Sequence, residues 1–359
     1  MPGLALYALL SWPGVGLVAA LWLLSALRLR VLGFDRPRPA WLVRFVDEPV
    51  FWHWGAGLIA LLAYPVVAGA LAIWSFVAGS ASAWWDGWGS AAVVSYGAGL
   101  LLAAHALWGQ RLRVRVCRVE VPIPRLPPEL DGYRIVQLSD LHIGSFDGPR
   151  RAQRWVQAAN AERPNLIAVT GDLVTSGTTF YDTAAEVLGG LRADDGVWLV
   201  FGNHDQWDNR RFARALSSRG VRLLQNAFER VAAGRLVVAG VDDAYTGKSD
   251  LDRTLDGRSA REPTVLLSHY PDFFEPAAER GVDLVLSGHT HGGQFAVPFL
   301  AERFSLARLL GRRGRGLFRQ GASFLYVSAG LGTTGPPLRI GVPPEIAVLV
   351  LRAPAGSID

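Results

Sequence analysis

Between residues 133 and 291, five apolar runs each end abruptly in a polar motif: YRIVQLSD (with Leu141-His142 following), NLIAVTGD, GVWLVFGNHD, TVLLSH and DLVLSGHTH. A continuous apolar run has no polar face, so as a strand it must be covered on both sides. Segments with helical periodicity separate several of these runs: PRRAQRWVQAAN, TAAEVLGGL and NRRFARALSSRG. This alternation predicts an α/β architecture, in which ligands gather beyond the carboxyl ends of the strands. Further strands are expected at RVRVCRVEVPI and at 235–241, 324–329 and 345–352.

The motifs supply Asp140, His142, Asp172, Asn203, His269, His289 and His291, together with His204 and Asp205. Carboxylate, imidazole and amide oxygen form a donor set suited to Mn, Fe or Zn. Seven donors are too many for one tetrahedral ion and about right for two divalent ions that share a bridge. Asp140-x-His142 and His289-x-His291 are each spaced by two residues, which at the end of a strand would aim both side chains to one side. The glycines before Asp172, Asn203 and His289 are expected to let the backbone turn sharply and a phosphate approach closely. Any one of these elements is weak; their order, each after an apolar run, points to a metal centre.

The rest of the chain has a different character. Half of the 359 residues are hydrophobic, and the excess lies before about residue 110. Three stretches there, about 3–27, 55–79 and 90–108, are long and apolar enough to span a bilayer as helices. The expected organisation is therefore a transmembrane region over 1–110 and a soluble domain over 111–359. The first stretch lacks a preceding Lys or Arg and a clear cleavage site, so it reads as an anchor and not a removed signal. Five Arg between Arg28 and Arg44 follow it, the loop SASAWWDGWG has neither Lys nor Arg, and Arg111, Arg113, Arg115 and Arg118 follow the third stretch. The positive-inside rule then places the soluble domain on the cytoplasmic side of the inner membrane. His53 and His105 stand alone in these stretches and are expected to pack, with no chemical role. The net charge of +5 is too small and too dispersed for a nucleic-acid-binding surface, and the single cysteine, Cys117, excludes an intramolecular disulfide.

The ordered motifs Asp-x-His, Gly-Asp, Gly-Asn-His-Asp, His and Gly-His-x-His resemble those of the calcineurin-like metallophosphoesterase superfamily. GHTHGGQ at 288–294 and SAGLGTTGPPLRIGVPPEIAVLVL at 328–351 are similar to the bacterial YkuE/YaeI-like membrane-associated phosphoesterases. The resemblance implies a sandwich of two β-sheets flanked by helices. It further implies that Asp140, His142 and His291 bind one metal, that Asn203, His269 and His289 bind the other, and that Asp172 bridges them. His204 would be a non-ligand acid that protonates the leaving oxygen, with Asp205 holding its imidazole. Two cations so placed would neutralise the phosphate oxygens and acidify a bridging water, giving a hydroxide nucleophile near neutral pH.

The anchor favours a lipid-linked phosphate substrate and the bilayer as partner, with a phosphodiester, pyrophosphate or phosphomonoester bond cleaved. The segment 303–319 joins Leu and Phe to six Arg and could rest on anionic headgroups, bind a charged head or be a solvated loop. Competing readings are a nucleotide or cyclic-nucleotide phosphodiesterase and a non-catalytic metal-binding membrane scaffold. A nucleic-acid substrate is not expected.

Overall fold

The structure is a computed structural model that describes residues 36–79, 83–297, 300 and 303–354, with isolated positions 20, 23, 24 and 27. The expected first span, at about 3–27, otherwise lies outside the described residues. The chain forms two compact units: residues 1–34, 38–112 and 335–339 make one, and residues 35–37, 113–334 and 340–359 the other.

Two long helices, Glu48–Val77 and Ala83–Ala104, dominate the first unit. Two stretches, Ala40–Val77 and Ser90–Leu112, are long and apolar enough to cross a membrane. Large apolar side chains point outward along the first of them, among them Leu62, Val66, Trp74 and Phe76, the last 88% exposed. Exposure on that scale is costly in water and neutral in lipid. Polar groups are paired between the helices: Trp52 Nε1 donates to the Leu100 carbonyl at 2.8 Å, and His53 Nδ1 lies 2.7 Å from the Tyr96 hydroxyl. The helices meet at Gly99, where a Cβ would lie 2.4 Å from the Ala56 carbonyl oxygen. Small residues at such a crossing let two backbones approach in lipid, where packing supplies the attraction that water does not. Leu338, from the short C-terminal contribution to this unit, fills the space beside Gly55.

The second unit is a sandwich of two six-stranded sheets. Its strands are β1 (Arg115–Pro122), β2 (Arg134–Leu138), β3 (Leu166–Thr170), β4 (Val197–Val200), β5 (Val221–Leu223), β6 (Ala227–Val231), β7 (Leu236–Gly240), β8 (Thr264–Leu267), β9 (Leu284–Ser287), β10 (Gly316–Gln320), β11 (Ser323–Val327) and β12 (Glu345–Arg352). One sheet runs β1-β12-β2-β3-β4-β5 and the other β10-β11-β9-β8-β7-β6. Strands β2 to β5 are parallel, as are β7, β8, β9 and β11.

Side-chain alternation explains the apolar runs. Ile135, Leu166, Ala168, Trp198 and Val200 face inward and meet Val238, Val265, Leu267, Leu284 and Leu286 of the other sheet. Val136, Leu138, Ile167, Val169 and Leu199 face outward, under Trp155, Tyr181, Phe212 and Leu216 from the helices Pro149–Ala161, Tyr181–Leu188 and Asn209–Ser217. On the opposite side, Leu266, Val285 and Leu325 are covered by Leu251, Leu255, Phe274 and Ala277. Gln137 is a polar exception between the sheets; its amide nitrogen reaches Thr170 Oγ1 at 2.9 Å and the Ser287 carbonyl at 3.0 Å.

The expected strands all form. The sequence reading missed β5, β6 and β10, which are half-exposed edge or near-edge strands with mixed patterning.

The close helix crossing generates a prediction. Gly99→Val should lower the unfolding temperature of the first unit in detergent by several degrees, because the added carbons meet backbone and not a movable side chain. An unchanged melting profile would show that the crossing tolerates separation.

Candidate metal centre

Each candidate ligand lies just past the last residue of a buried strand: Asp140 and His142 after β2, Asp172 after β3, Asn203 after β4, His269 after β8, and His289 and His291 after β9. The local geometry that aims them differs from simple strand alternation. Asp140, His142, Asp172, His289 and His291 all have positive φ, between 45° and 67°. For residues with a Cβ this conformation costs about 1–3 kcal/mol each and persists only where the surroundings enforce it. The pleat therefore does not place the two donors of Asp140-x-His142 together. The ladder of β2 ends at Leu138, and a left-handed turn aims both, with the Asp140 and His142 amides donating to the Gly171 and Asp172 carbonyls at 3.0 Å.

The glycine reading also needs correction. Of the three glycines, Gly171 alone has positive φ, at 84°. The other two provide space. A Cβ on Gly202 would lie 2.3 Å from Asp172 Oδ1, and one on Gly288 would lie 2.3 Å from Asp140 Oδ2. They let neighbouring ligand loops close on one another.

The side chains converge in two groups that share a carboxylate. In one, ligand atoms of Asp140, His142 and His291 lie within 4.8 Å of one another; in the other, those of Asp172, His269 and His289 do. Asp172 Oδ2 is 3.3 Å from His269 Nε2 and 3.6 Å from His142 Nε2, so it stands between the groups. Ring nitrogens face each other in both: His142 Nε2 and His291 Nε2 at 3.1 Å, and His289 Nδ1 and His269 Nε2 at 3.3 Å. Lone pairs directed at one another repel unless a proton or cation lies between them. This convergence, with its hard-to-borderline donors, fits divalent metal ions.

Asn203 Oδ1 accepts from the Tyr270 hydroxyl at 3.2 Å, and the Tyr270 ring packs on His289 with centroids 4.1 Å apart. His204 joins His142 and Asp172 in a third close group, its ring edge-on to that of His142.

Burial sets the electrostatics. It pushes the Asp140 carboxyl up to about 6, and it pushes the His142 and His289 imidazoles down to about 3 and about 4. For Asp172 and His269, burial opposes charge on both, but their mutual attraction wins. Asp172 is held well below the usual carboxylate range, and His269 is lifted to about 10. The His269 Nδ1–H donates to the Thr170 carbonyl at 2.8 Å, which leaves Nε2 directed at Asp172.

The resemblance implied that Asp205 holds the His204 imidazole, and the geometry differs. His204 Nδ1 is paired with the Thr175 carbonyl. Asp205 is fully buried and serves the backbone: Oδ1 accepts from the Leu173 amide at 2.9 Å and Oδ2 from the Gly202 amide at 2.9 Å. It ties the turn after Asp172 to the turn before Asn203. Burial, followed by the nearby Asp172 charge, raises its carboxyl to about 7.

Sequence reasoning missed four contributors. Thr175 and Tyr270 carried no motif signal, though Tyr270 directly follows His269. Gly330 and Gly332 lie in the tail motif, which the family resemblance had flagged without a role. Their missing side chains make room for Asp140 and for Leu141-His142, and the Leu331 and Gly332 amides donate to the Ser139 and Asp140 carbonyls. The tail is a wall of the site.

A family model described as calcineurin-like phosphoesterase matches residues 133–293. A Bos taurus transmembrane protein with metallophosphoesterase domain is 36% identical over 258 residues, which cover 66% of this chain and 57% of the relative. The Bacillus subtilis (strain 168) metallophosphoesterase YkuE is 30% identical over 236 residues, covering 64% of this chain and 82% of the relative. A metallophosphoesterase of Aquifex aeolicus (strain VF5) is 30% identical over 248 residues, 67% of this chain and 92% of the relative. This chain thus spans less than two-thirds of the bovine relative's length.

The bridging of two turns by Asp205 makes a quantitative prediction. Asp205→Ala leaves two buried amides without acceptors, at about 1–3 kcal/mol each, and should lower thermal stability strongly. Asp205→Asn keeps one acceptor and should lose about half as much. Equal melting temperatures for both variants and the parent would remove Asp205 from this structural role.

Proposed function

Because the chain belongs to the calcineurin-like metallophosphoesterases, we propose that it is a metal-dependent phosphoric ester hydrolase that cleaves a lipid-linked phosphoester, phosphodiester or diphosphate at a two-metal centre. The observation that carries this reading is the pair of Asp/His groups sharing Asp172. Asp140, His142 and His291 would hold one ion, and Asn203, His269 and His289 the other. Asp172 would contact both, since a carboxylate offers two charged oxygens. Two divalent ions there, whether Mn, Fe or Zn, would neutralise charge on the phosphoryl oxygens and lower the pKa of a water.

The chain's own groups supply the rest. Pairing of His204 Nδ1 with the Thr175 carbonyl fixes the ring and leaves Nε2 free to hold a proton toward the leaving oxygen. Such an acid contributes ~10²–10⁴-fold. Tyr270 orients the Asn203 amide so that its oxygen, not its nitrogen, faces the hydroxyl donor. Asp205 contributes by holding the two ligand turns together.

The lipid-linked substrate is supported by the two apolar helices, by relatives described as transmembrane proteins, and by an exposed apolar surface on the phosphoesterase unit. Val297, Leu300, Phe304, Leu306, Leu309 and Leu310 are all exposed, Leu309 by 77%. This surface leads directly into Arg312, which touches His289. A lipid tail could rest on the first while its phosphate enters at the second. The distribution of Arg supports a catalytic unit on the cytoplasmic face of an inner membrane that the chain crosses more than once.

The full-length protein in detergent, supplied with Mn²⁺, should hydrolyse bis-p-nitrophenyl phosphate. It should also cleave a member of a panel of phospholipids and nucleotide-sugar lipids with higher kcat/KM than any soluble or cyclic nucleotide. Inactivity with every divalent metal would favour the metal-binding scaffold, and preference for a soluble nucleotide would overturn the lipid reading. His204→Ala should slow an alkyl ester by ~10²-fold or more and a nitrophenyl ester far less, since a good leaving group needs no proton. Equal slowing of both would exclude His204 as the acid.

A further inference from the structure

Beside the candidate metal centre lies a small cavity of about 50 Å³, lined in part by Tyr270, His289, Thr290, Arg312 and Arg313. Its chemistry is one-sided. Arg312 Nη1 lies 3.2 Å from His289 Nε2. The other nitrogen of that ring, Nδ1, points inward at His269 Nε2. A ring nitrogen that accepts from a neighbour or binds a metal carries no proton, so the proton of a neutral imidazole sits on Nε2. The guanidinium has donors and no acceptor. With Nδ1 bound to a metal ion, as the proposed function has it, the contact between Arg312 and His289 is donor against donor and not a hydrogen bond. It is two convergent donors at the distance at which one shared acceptor would satisfy both.

The neighbouring groups extend this pattern. The Thr290 hydroxyl is buried and has no hydrogen-bond partner. Arg313 adds a second guanidinium, held in place by Glu275. Asp272 also lines the cavity and is the one carboxylate there; it is exposed, so its charge is screened by water. The Arg-rich segment as a whole is not a free basic face. Arg308 and Arg319 lie over Phe318 and Phe324, and Arg315 lies 3.6 Å from Glu345. Arg312 is the member directed at the metal centre.

The geometry points to an anion subsite in which Arg312, His289 Nε2–H and the Thr290 hydroxyl receive a second phosphoryl group adjacent to the one being cleaved. This deepens the proposed function and rests on it: the substrate class becomes a diphosphate or another ester with two neighbouring anionic phosphorus groups. With a simple phosphodiester, solvent would have to supply the acceptor between these donors, whereas a diphosphate can offer an oxygen of its second phosphorus there. Arg312 is then a specificity-determining residue, and its planar fork, not charge alone, matters.

The test is calorimetric titration of the full-length, Mn²⁺-loaded protein in detergent with methylenediphosphonate and with methylphosphonate. The parent should bind the diphosphonate at least tenfold more tightly. Arg312→Gln should reduce that ratio by about tenfold, and Arg312→Lys should restore it only in part. A parent ratio near one, or a ratio unchanged in Arg312→Gln, overturns the subsite. Because binding is read without turnover, the two proposals fail separately. Hydrolysis of bis-p-nitrophenyl phosphate with an Arg312-independent ratio removes the subsite alone. An Arg312-dependent ratio in a protein inactive with every metal keeps the subsite and removes the hydrolytic reading.

Discussion

Burial of both faces of the central strands of each sheet is the constraint on which the phosphoesterase unit depends. A strand such as Leu166–Thr170, with every residue buried, has no place along its length for an unpaired charge. In such a strand, charged and imidazole side chains can occur only where it stops. Parallel strands all stop at the same edge, so the ligands of five separate motifs collect there without any contact having to specify it. The fold is thus the reason the site is one site. Gln137 is consistent with this rule, since its buried amide is kept only by hydrogen bonds to both sheets.

At that edge the packing is tight enough that absent side chains matter as much as present ones. Gly202 and Gly288 stand against the carboxylates of Asp172 and Asp140, and Gly330 and Gly332 stand against the turn that carries Asp140 and His142. The strained backbone of five ligands is held by this crowding and by amide bonds such as those to Asp205. Convergent lone pairs and buried carboxylates are the opposite of what a stable core needs. Cations bound there would offset that cost, so affinity for metal and strain in the loops would be two aspects of one arrangement.

Much of this was legible in the chain itself. Nine of the twelve strands and the nine polar positions follow from runs of Val, Ile and Leu broken by Asp, Asn and His, and the membrane-crossing lengths follow from composition. Less legible were residues whose roles run through backbone atoms or through contacts distant in sequence. The family resemblance implies that Asp205 holds the His204 imidazole. The fold instead turns it toward the Leu173 and Gly202 amides, and the Thr175 carbonyl takes the imidazole. Arg312 could be read only as one of six arginines, because its distance from His289 depends on how the segment after the helix Leu306–Leu309 folds back.

The sequence by itself determined which atoms are available for metal chemistry and that they lie at strand ends, because local patterning encodes the strand and the donor together. Tertiary structure alone decided which donors face each other, which glycine supplies a turn and which supplies room, and which arginine reaches the centre. Those are distances between segments as far apart as Asp140 and Gly330, and no short-range pattern records them. They are set when two sheets, each with its central strands buried on both faces, close against one another.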